Sequence, residues 1–486
     1  MVYFILAGKC VYYMNGYKSL DKNHSRATYF QHIDLNSGAE LQEEDIYQIQ
    51  QIFKCLNNFN FDEDSNEINQ LFSTIKYILD NVGDNLPMFL QLDICSLIVN
   101  FFKYSNSIFI QTVSAQLIMN LTSYESKYCI EFQKYKMLEI VSEMIKTSSK
   151  PYLTCNLLQI IINNISDKNE IISQTALKLF PLNVIISLSN MFNFLVSNSN
   201  HSFTIEDLVF RWLKCIYTIV IEISITIEES ESLLNELSKY FSEIQNFPDS
   251  HEYFCWILYT LIKRKTLNSE IFHNLCYPAF IHPMIHIDNK YKSQAALLLF
   301  CSLYQNNLLN FNCSPLEFVE LSIEGLKEPR NLEKFTMCLY ILCIFLKKQK
   351  QNTLNIFIEQ NIMNKYIDIF HQEAFEIKKE ICNLANEYIL CCLELKRYNL
   401  ITEQVKEVLC YTLQIDSKDG EFTRTVNTIL LILKYTNLYC SEEEFKANVD
   451  WFVHHNVCEL IESYLNDNEP NENIKQLIEV ISYCYE

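Results

Sequence analysis

The sequence predicts an all-α chain, a right-handed α-solenoid (superhelix) of about 9–10 short helical repeats. Three observations carry that prediction. The first is a scarcity of turn formers: 6 glycines and 9 prolines in 486 residues, where average usage gives about 34 glycines. The second is hydrophobic spacing at i, i+3, i+4, i+7 in almost every segment, with period-two alternation rare. In one stretch Phe335, Leu339, Leu342, Cys343 and Leu346 form the stripe, and Lys334 and Lys347 fall outside it. The third is recurrence of a long apolar helix at a period near 42 residues.

Taken along the chain, polar clusters at 57–66, 147–150, 194–203, 306–315 and 466–473 separate the helices. The long helix of each repeat is centred at Gln116, Gln159, Lys214, Trp256, Leu298, Leu339, Asn383 and Asn427, with separations of 43, 55, 42, 42, 41, 44 and 44. The one long interval contains the cluster at 194–203, which reads as a loop insertion. A period near 42 is that of armadillo or HEAT units. One such unit cannot bury its own apolar face, whereas stacked units share a continuous core and leave a concave groove.

The same composition excludes several function classes. No two glycines are closer than eight positions, so neither the dinucleotide fingerprint nor the P-loop can form. Lys+Arg 39 against Asp+Glu 59 gives −20, which argues against nucleic acid as a partner and permits a basic one. The 19 cysteines contain no C-x-x-C pair. Most sit in apolar runs such as YILCIF at 340–345, as small buried hydrophobes suited to a reducing compartment. The apolar start lacks a basic n-region, so no signal peptide is expected. No run of about 20 uncharged apolar residues is present; 215–227 is too short and includes Glu222. No membrane partner is therefore expected.

Several stretches, in order and in register over 41–486, resemble importin-α, the armadillo-repeat family of nuclear import adaptors. They are LQEEDIY at 41–47, LPMFL at 86–90, SAQLIMNLTS at 114–123, FEIKKEICNLANE at 375–387, LCYTLQIDSKD at 409–419 with RTVNTILLIL at 424–433, VCELIESYL at 457–465 and NIKQLIEVISYCY at 473–485. The resemblance implies an adaptor that holds basic cargo peptides in its groove, works with an importin-β-type carrier, and moves between cytoplasm and nucleus. In that family asparagines on the third helices clamp the peptide backbone. Tryptophans one turn earlier stack on lysine methylenes, and acids beyond the helix end take the ammonium groups.

Carried over position by position, the resemblance makes Asn120, Asn163, Asp167 and Trp256 the peptide-binding residues. Much of the Trp/Asn ladder is replaced. The tryptophan positions are Gln116, Gln159 and Lys214 in the first three repeats, and later pairs are Leu298 with Ser302, Leu339 with Cys343 and Asn383 with Glu387. The family's inter-helix glycines are missing. Residues 1–40 carry only Lys9, Lys18, Lys22 and Arg26 as fixed positive charges, a short segment without a clear basic importin-β-binding arm.

Each residue also has a plainer reading. Asn120 and Asn163 can be exposed helix asparagines, Trp256 a core side chain, and Asp167 a helix cap. Trp451 reads as core packing between the last repeats. His282 and His286 stand at i, i+4, but Pro283 and the lack of a third ligand argue against a metal. No nucleophile elbow or H-E-x-x-H motif is present, so no enzyme and no cofactor are expected. The alternative function is a generic armadillo-repeat protein–protein interaction scaffold unconnected with import. A HEAT-type regulatory subunit is the third class.

Overall fold

The computed structural model describes residues 53–57, 66–82, 94–148, 150–189, 202–239, 250–266, 285–286, 290–306, 308, 314–327, 330–415, 420–467 and 472–483. Segment 1–40, LQEEDIY at 41–47, LPMFL at 86–90, His282 and most of the 194–203 cluster lie outside them. The chain divides into two compact units, Met1–Tyr277 and Pro278–Glu486. Among the described residues every regular element is a helix.

Unit one contains α1 (Asn66–Val82), α2 (Ile94–Tyr104), α3 (Ile108–Tyr124), α4 (Ser126–Lys134), α5 (Met137–Thr147), α6 (Pro151–Ile165), α7 (Glu170–Leu179), α8 (Leu182–Ser187), α9 (Ser202–Glu222), α10 (Ile227–Lys239) and α11 (His251–Lys263). Unit two contains α12 (Lys290–Gln305), α13 (Pro315–Gly325), α14 (Leu332–Lys348), α15 (Lys350–Glu359), α16 (Ile362–Phe370), α17 (Phe375–Glu394), α18 (Glu403–Ile415), α19 (Glu421–Tyr439), α20 (Glu442–His454), α21 (Val457–Asp467) and α22 (Glu472–Tyr483). The order repeats a short first helix, a second, and a long third, as in α4–α5–α6 and α15–α16–α17. All eight sequence anchors fall within third helices: α3, α6, α9, α11, α12, α14, α17 and α19. The 194–203 cluster ends earlier than its polarity suggests, because α9 already begins at Ser202.

Local chemistry sets the helix ends. Ser107, Asn169, Ser314 and Asn331 accept from backbone N–H groups in the first turns of α3, α7, α13 and α14. Ser441 and Glu444 form a capping box on α20. Each satisfies donors that a helix start leaves orphaned. Pro151 and Pro315 occupy first-turn positions, where the missing N–H costs nothing. With few glycines available, left-handed backbone falls on other residues. Lys136, Asn361 and Asn456 take it between first and second helices, and Lys265 and Lys396 just past third helices. At Lys265 the Thr266 N–H donates to Leu261 O and the Lys265 N–H to Ile262 O, a Schellman closure without glycine. Gly325 is needed for another reason. A Cβ there would lie 2.9 Å from Asn331 O and 3.1 Å from Phe335 N, so α13 approaches the start of α14 backbone to backbone.

The core runs along the stacked third helices. In unit one α3 packs on α6, α6 on α9 and α9 on α11; in unit two α12 packs on α14, α14 on α17, α17 on α19 and α19 on α22. Twelve of the fifteen described cysteines are buried, and Cys55 is the exposed one. Side-chain hydrogen bonds between neighbours span one repeat. Asn163 reaches Met119, Lys348 reaches Tyr304 and Ser322 meets Tyr366, each 44 residues apart, and Thr428 meets Asn386 at 42. The repeat period is thus written into the bonding as well as the sequence.

Candidate binding surface

The surface to consider is the side of the third helices that carries the anchors. In unit one it begins on α3 with Asn120, which is nearly covered and whose amide makes no hydrogen bond among the described residues. On α6, Asn163 Nδ2 donates to Met119 O at 2.9 Å and Thr122 Oγ1 at 3.1 Å, and its Oδ1 accepts from Gln159 Nε2 at 2.8 Å. Two turns earlier Asn156 Nδ2 donates to Thr112 O at 3.2 Å. These amides clamp a backbone, and the backbone is that of α3. Asp167 accepts from Ser126 Oγ and, at 2.7 Å, from Asn169 N–H. It closes the turn before α7 and ties it to the start of α4.

Trp256 lies on α11 and is 8% exposed. Its ring meets Tyr259 at 5.7 Å edge-on and Tyr217 at 6.4 Å, and Tyr253 links Tyr217 and Phe210 at 5.8 and 5.2 Å. Inside this cluster sits Lys214, at the position where the ladder has a tryptophan. It is 1% exposed, with Nζ 5.8 Å from the Tyr253 ring centre and 6.0 Å from that of Phe210. Burial pushes its ammonium pKa down to about 7. Arg211 adds to the shift and Glu252 opposes it. The structure therefore gathers Lys214 and Trp256 into one aromatic cluster. It places Asn163 and Asp167 at the junction of α3 and α4 with α6 and α7.

In unit two the ladder positions are different in kind. Leu339 and Cys343 are core residues. Asn383 Nδ2 donates to Glu380 Oε2 at 3.3 Å. Glu387, also on α17, is 5% exposed and receives two cations: Lys347 of α14, Nζ to Oε1 at 2.9 Å, and Arg424 of α19 on the same Oε1. Burial pulls the Lys347 pKa down to about 8, with Arg424 adding to the shift. Arg424 is shifted down by burial as well. Sequence reasoning paired Asn383 with Glu387 and missed both cations. They lie 40 residues before and 37 after Glu387, close to one period each way, and that near-period spacing is the signal that finds them.

Other candidates resolve structurally. His286 Nε2 meets Glu317 Oε1 at 2.6 Å. Trp451 is half-buried, stacks on His455 at 3.7 Å and lies under Lys406 Nζ at 4.5 Å. Among the described residues no group of three or more His, Cys, Asp or Glu side chains is arranged to hold a metal ion. No helix among them is long and apolar enough to cross a membrane.

Neither a protein-family model nor a curated protein sequence matches the chain. Solved structures do. One is an engineered protein, a structural-genomics target, with a TM-score of 0.57 at 10% identity over 90% of this chain and 99% of that one. Another comes from work on a phosphorylation switch controlling the interaction between cadherin and β-catenin, with a TM-score of 0.54 at 10% identity over 95% of each chain. At this identity the likeness is one of fold. The chain has the all-α, armadillo-like solenoid fold.

Proposed function

We propose that this armadillo-like protein is a protein–protein interaction scaffold, with a binding rather than a catalytic role, that holds an extended segment of a partner along its third helices. One observation carries the reading. Successive third helices pack side by side within each unit, and the residue four after the anchor is polar in most repeats: Asn120, Asn163, Thr218 and Thr260 in unit one, Ser302 and Glu387 in unit two. Polar groups at a repeated spacing suit a peptide backbone, which offers donors and acceptors at regular intervals. The test is an immobilised library of short peptides probed with the purified full-length protein. We expect micromolar binders whose affinity falls about tenfold, or roughly 1.4 kcal/mol, in Asn120→Ala or in the blocking variant Thr260→Trp. A library without binders, or binders indifferent to both variants, would sink the scaffold reading.

A finer reading makes the scaffold an import adaptor in cytoplasm and nucleus that takes basic cargo segments and an importin-β-type carrier. It draws support from the unbonded amide of Asn120 and from the net charge of −20. A lysine-rich peptide in the same library decides it. Binding that weakens with salt and in Asp167→Ala and Trp256→Ala supports the adaptor. Binders confined to non-basic peptides leave the scaffold and remove the adaptor.

A further inference from the structure

The strongest unassigned feature is the charge cluster on unit two. Among the described residues, Glu387 is the one carboxylate in contact with both Lys347 and Arg424. Two cations around one anion leave a net charge of +1, on a chain whose overall charge is −20. The cluster is not sealed. The carboxylate is 5% exposed, but the Lys347 side chain is 37% and Arg424 27% exposed, so the cations stand between the carboxylate and solvent. Both cations are depressed below their ordinary pKa values, and for Lys347 the proximity of Arg424 is a cause after burial.

The surroundings continue the same face. Arg424, Asn427, Leu431 and Lys434 lie at i, i+3, i+7 and i+10 on α19, which makes them one helical stripe. Asn427 is half-buried with an amide that makes no hydrogen bond among the described residues, and Leu431 is an exposed apolar side chain. Lys434 Nζ donates to Gln476 Oε1 of α22 at 2.9 Å. A half-buried positive site therefore lies beside a free amide and an apolar contact.

We propose that the α14–α17–α19 face of unit two is a docking site for an acidic peptide segment, with one Asp or Glu side chain of the partner bound between Lys347 and Arg424. The proposal rests on the scaffold reading and names the partner chemistry for one of its faces. Charge balance chooses a carboxylate over a phosphate. A single negative charge neutralises the +1 cluster, whereas a phosphate carries about −1.5 to −2 and meets repulsion from Glu387. The amide of Asn427 is placed to pair with the backbone of the same segment, and Leu431 to cover a neighbouring apolar side chain.

The test uses the full-length protein and fluorescence anisotropy with labelled short Ser/Leu peptides. These differ only at one central residue: Glu, Gln or phosphoserine. We expect the Glu peptide to bind about tenfold or more tightly than its Gln partner. Lys347→Gln, at a position whose side chain is exposed, should bring the Glu peptide down to the Gln level. Lys347→Arg should retain most of the difference. Lys350→Gln, on the neighbouring Lys350–Glu394 pair, should leave it unchanged. Glu387→Gln should raise affinity for phosphoserine by more than it raises affinity for Glu, and a thermal melt confirms that each variant is folded. Equal affinity for the Glu and Gln peptides overturns the acidic site and leaves the scaffold standing. So does a Lys347→Gln variant that binds Glu as well as the wild type. Failure of every peptide here overturns the acidic site, and the library result then decides the scaffold separately.

Discussion

At the residue scale, Lys136 and Lys214 are the clearest places where local chemistry and the fold pull apart. Lys136 holds φ at 57° between α4 and α5, a left-handed conformation that costs a side chain with a Cβ roughly 1–2 kcal/mol. Lys136→Gly should raise the unfolding free energy from urea titration by about 0.5–1 kcal/mol, after the extra freedom glycine gives the unfolded chain. Asn361→Gly should change little, because asparagine already tolerates this backbone. For Lys214 the sign follows from its depressed folded value of about 7 against 10.5 unfolded. Between those values the unfolded chain binds more protons, so stability rises with pH from about 7 towards 10.5, and below 7 the burial penalty is fully present. Lys214→Met should flatten that rise in denaturant titrations. It should also stabilise the protein at pH 6 by about 1–3 kcal/mol, since the buried charge is gone. Neither property can be read from the residue alone: Lys214 sits in a helical pattern that would equally suit an exposed lysine.

At the element scale, much was legible. The anchors all landed in third helices, because helical periodicity and burial are properties of contiguous sequence. Pro151, Pro315 and the Ser441–Glu444 box mark starts that sequence rules recognise. What stayed hidden are partners one repeat away. Asn163 and Asp167 stand where the resemblance puts peptide-binding groups, yet each bonds to the preceding repeat. Helix C-termini show the same thing. Arg264 sits just beyond α11 and donates to the carbonyls of Val220, Ile221 and Ile223 at the end of α9, and Lys348 does likewise for Tyr304 and Gln305 at the end of α12. A cation from the next repeat thus satisfies the orphan carbonyls and the negative end of the helix dipole. Arg264→Ala should cost about 1–3 kcal/mol. The loss should concentrate in faster amide hydrogen exchange at residues 218–224, a pattern that a general loss of packing would not give.

At the scale of the whole molecule, a stacked array shares its stability between neighbours rather than around one centre. In unit two Phe345 is fully buried and its ring lies 4.8 Å from Tyr304 and 5.7 Å from Phe318. Phe345→Ala should cost about 3–5 kcal/mol locally. Hydrogen exchange should quicken most in α12, α13 and α17 and least in α22. A uniform change across unit two would count against array behaviour. The buried cysteines then acquire a use that packing alone does not suggest. Third helices from α6 to α17 each carry at least one: Cys155, Cys215, Cys255, Cys301, Cys338 and Cys382 among them, all shielded in the folded chain. A thiol that reacts only when its own helix opens is a clock for that helix. Brief alkylation at rising urea, followed by mass spectrometry, would time the opening of each repeat in turn, with no label added to the protein beforehand.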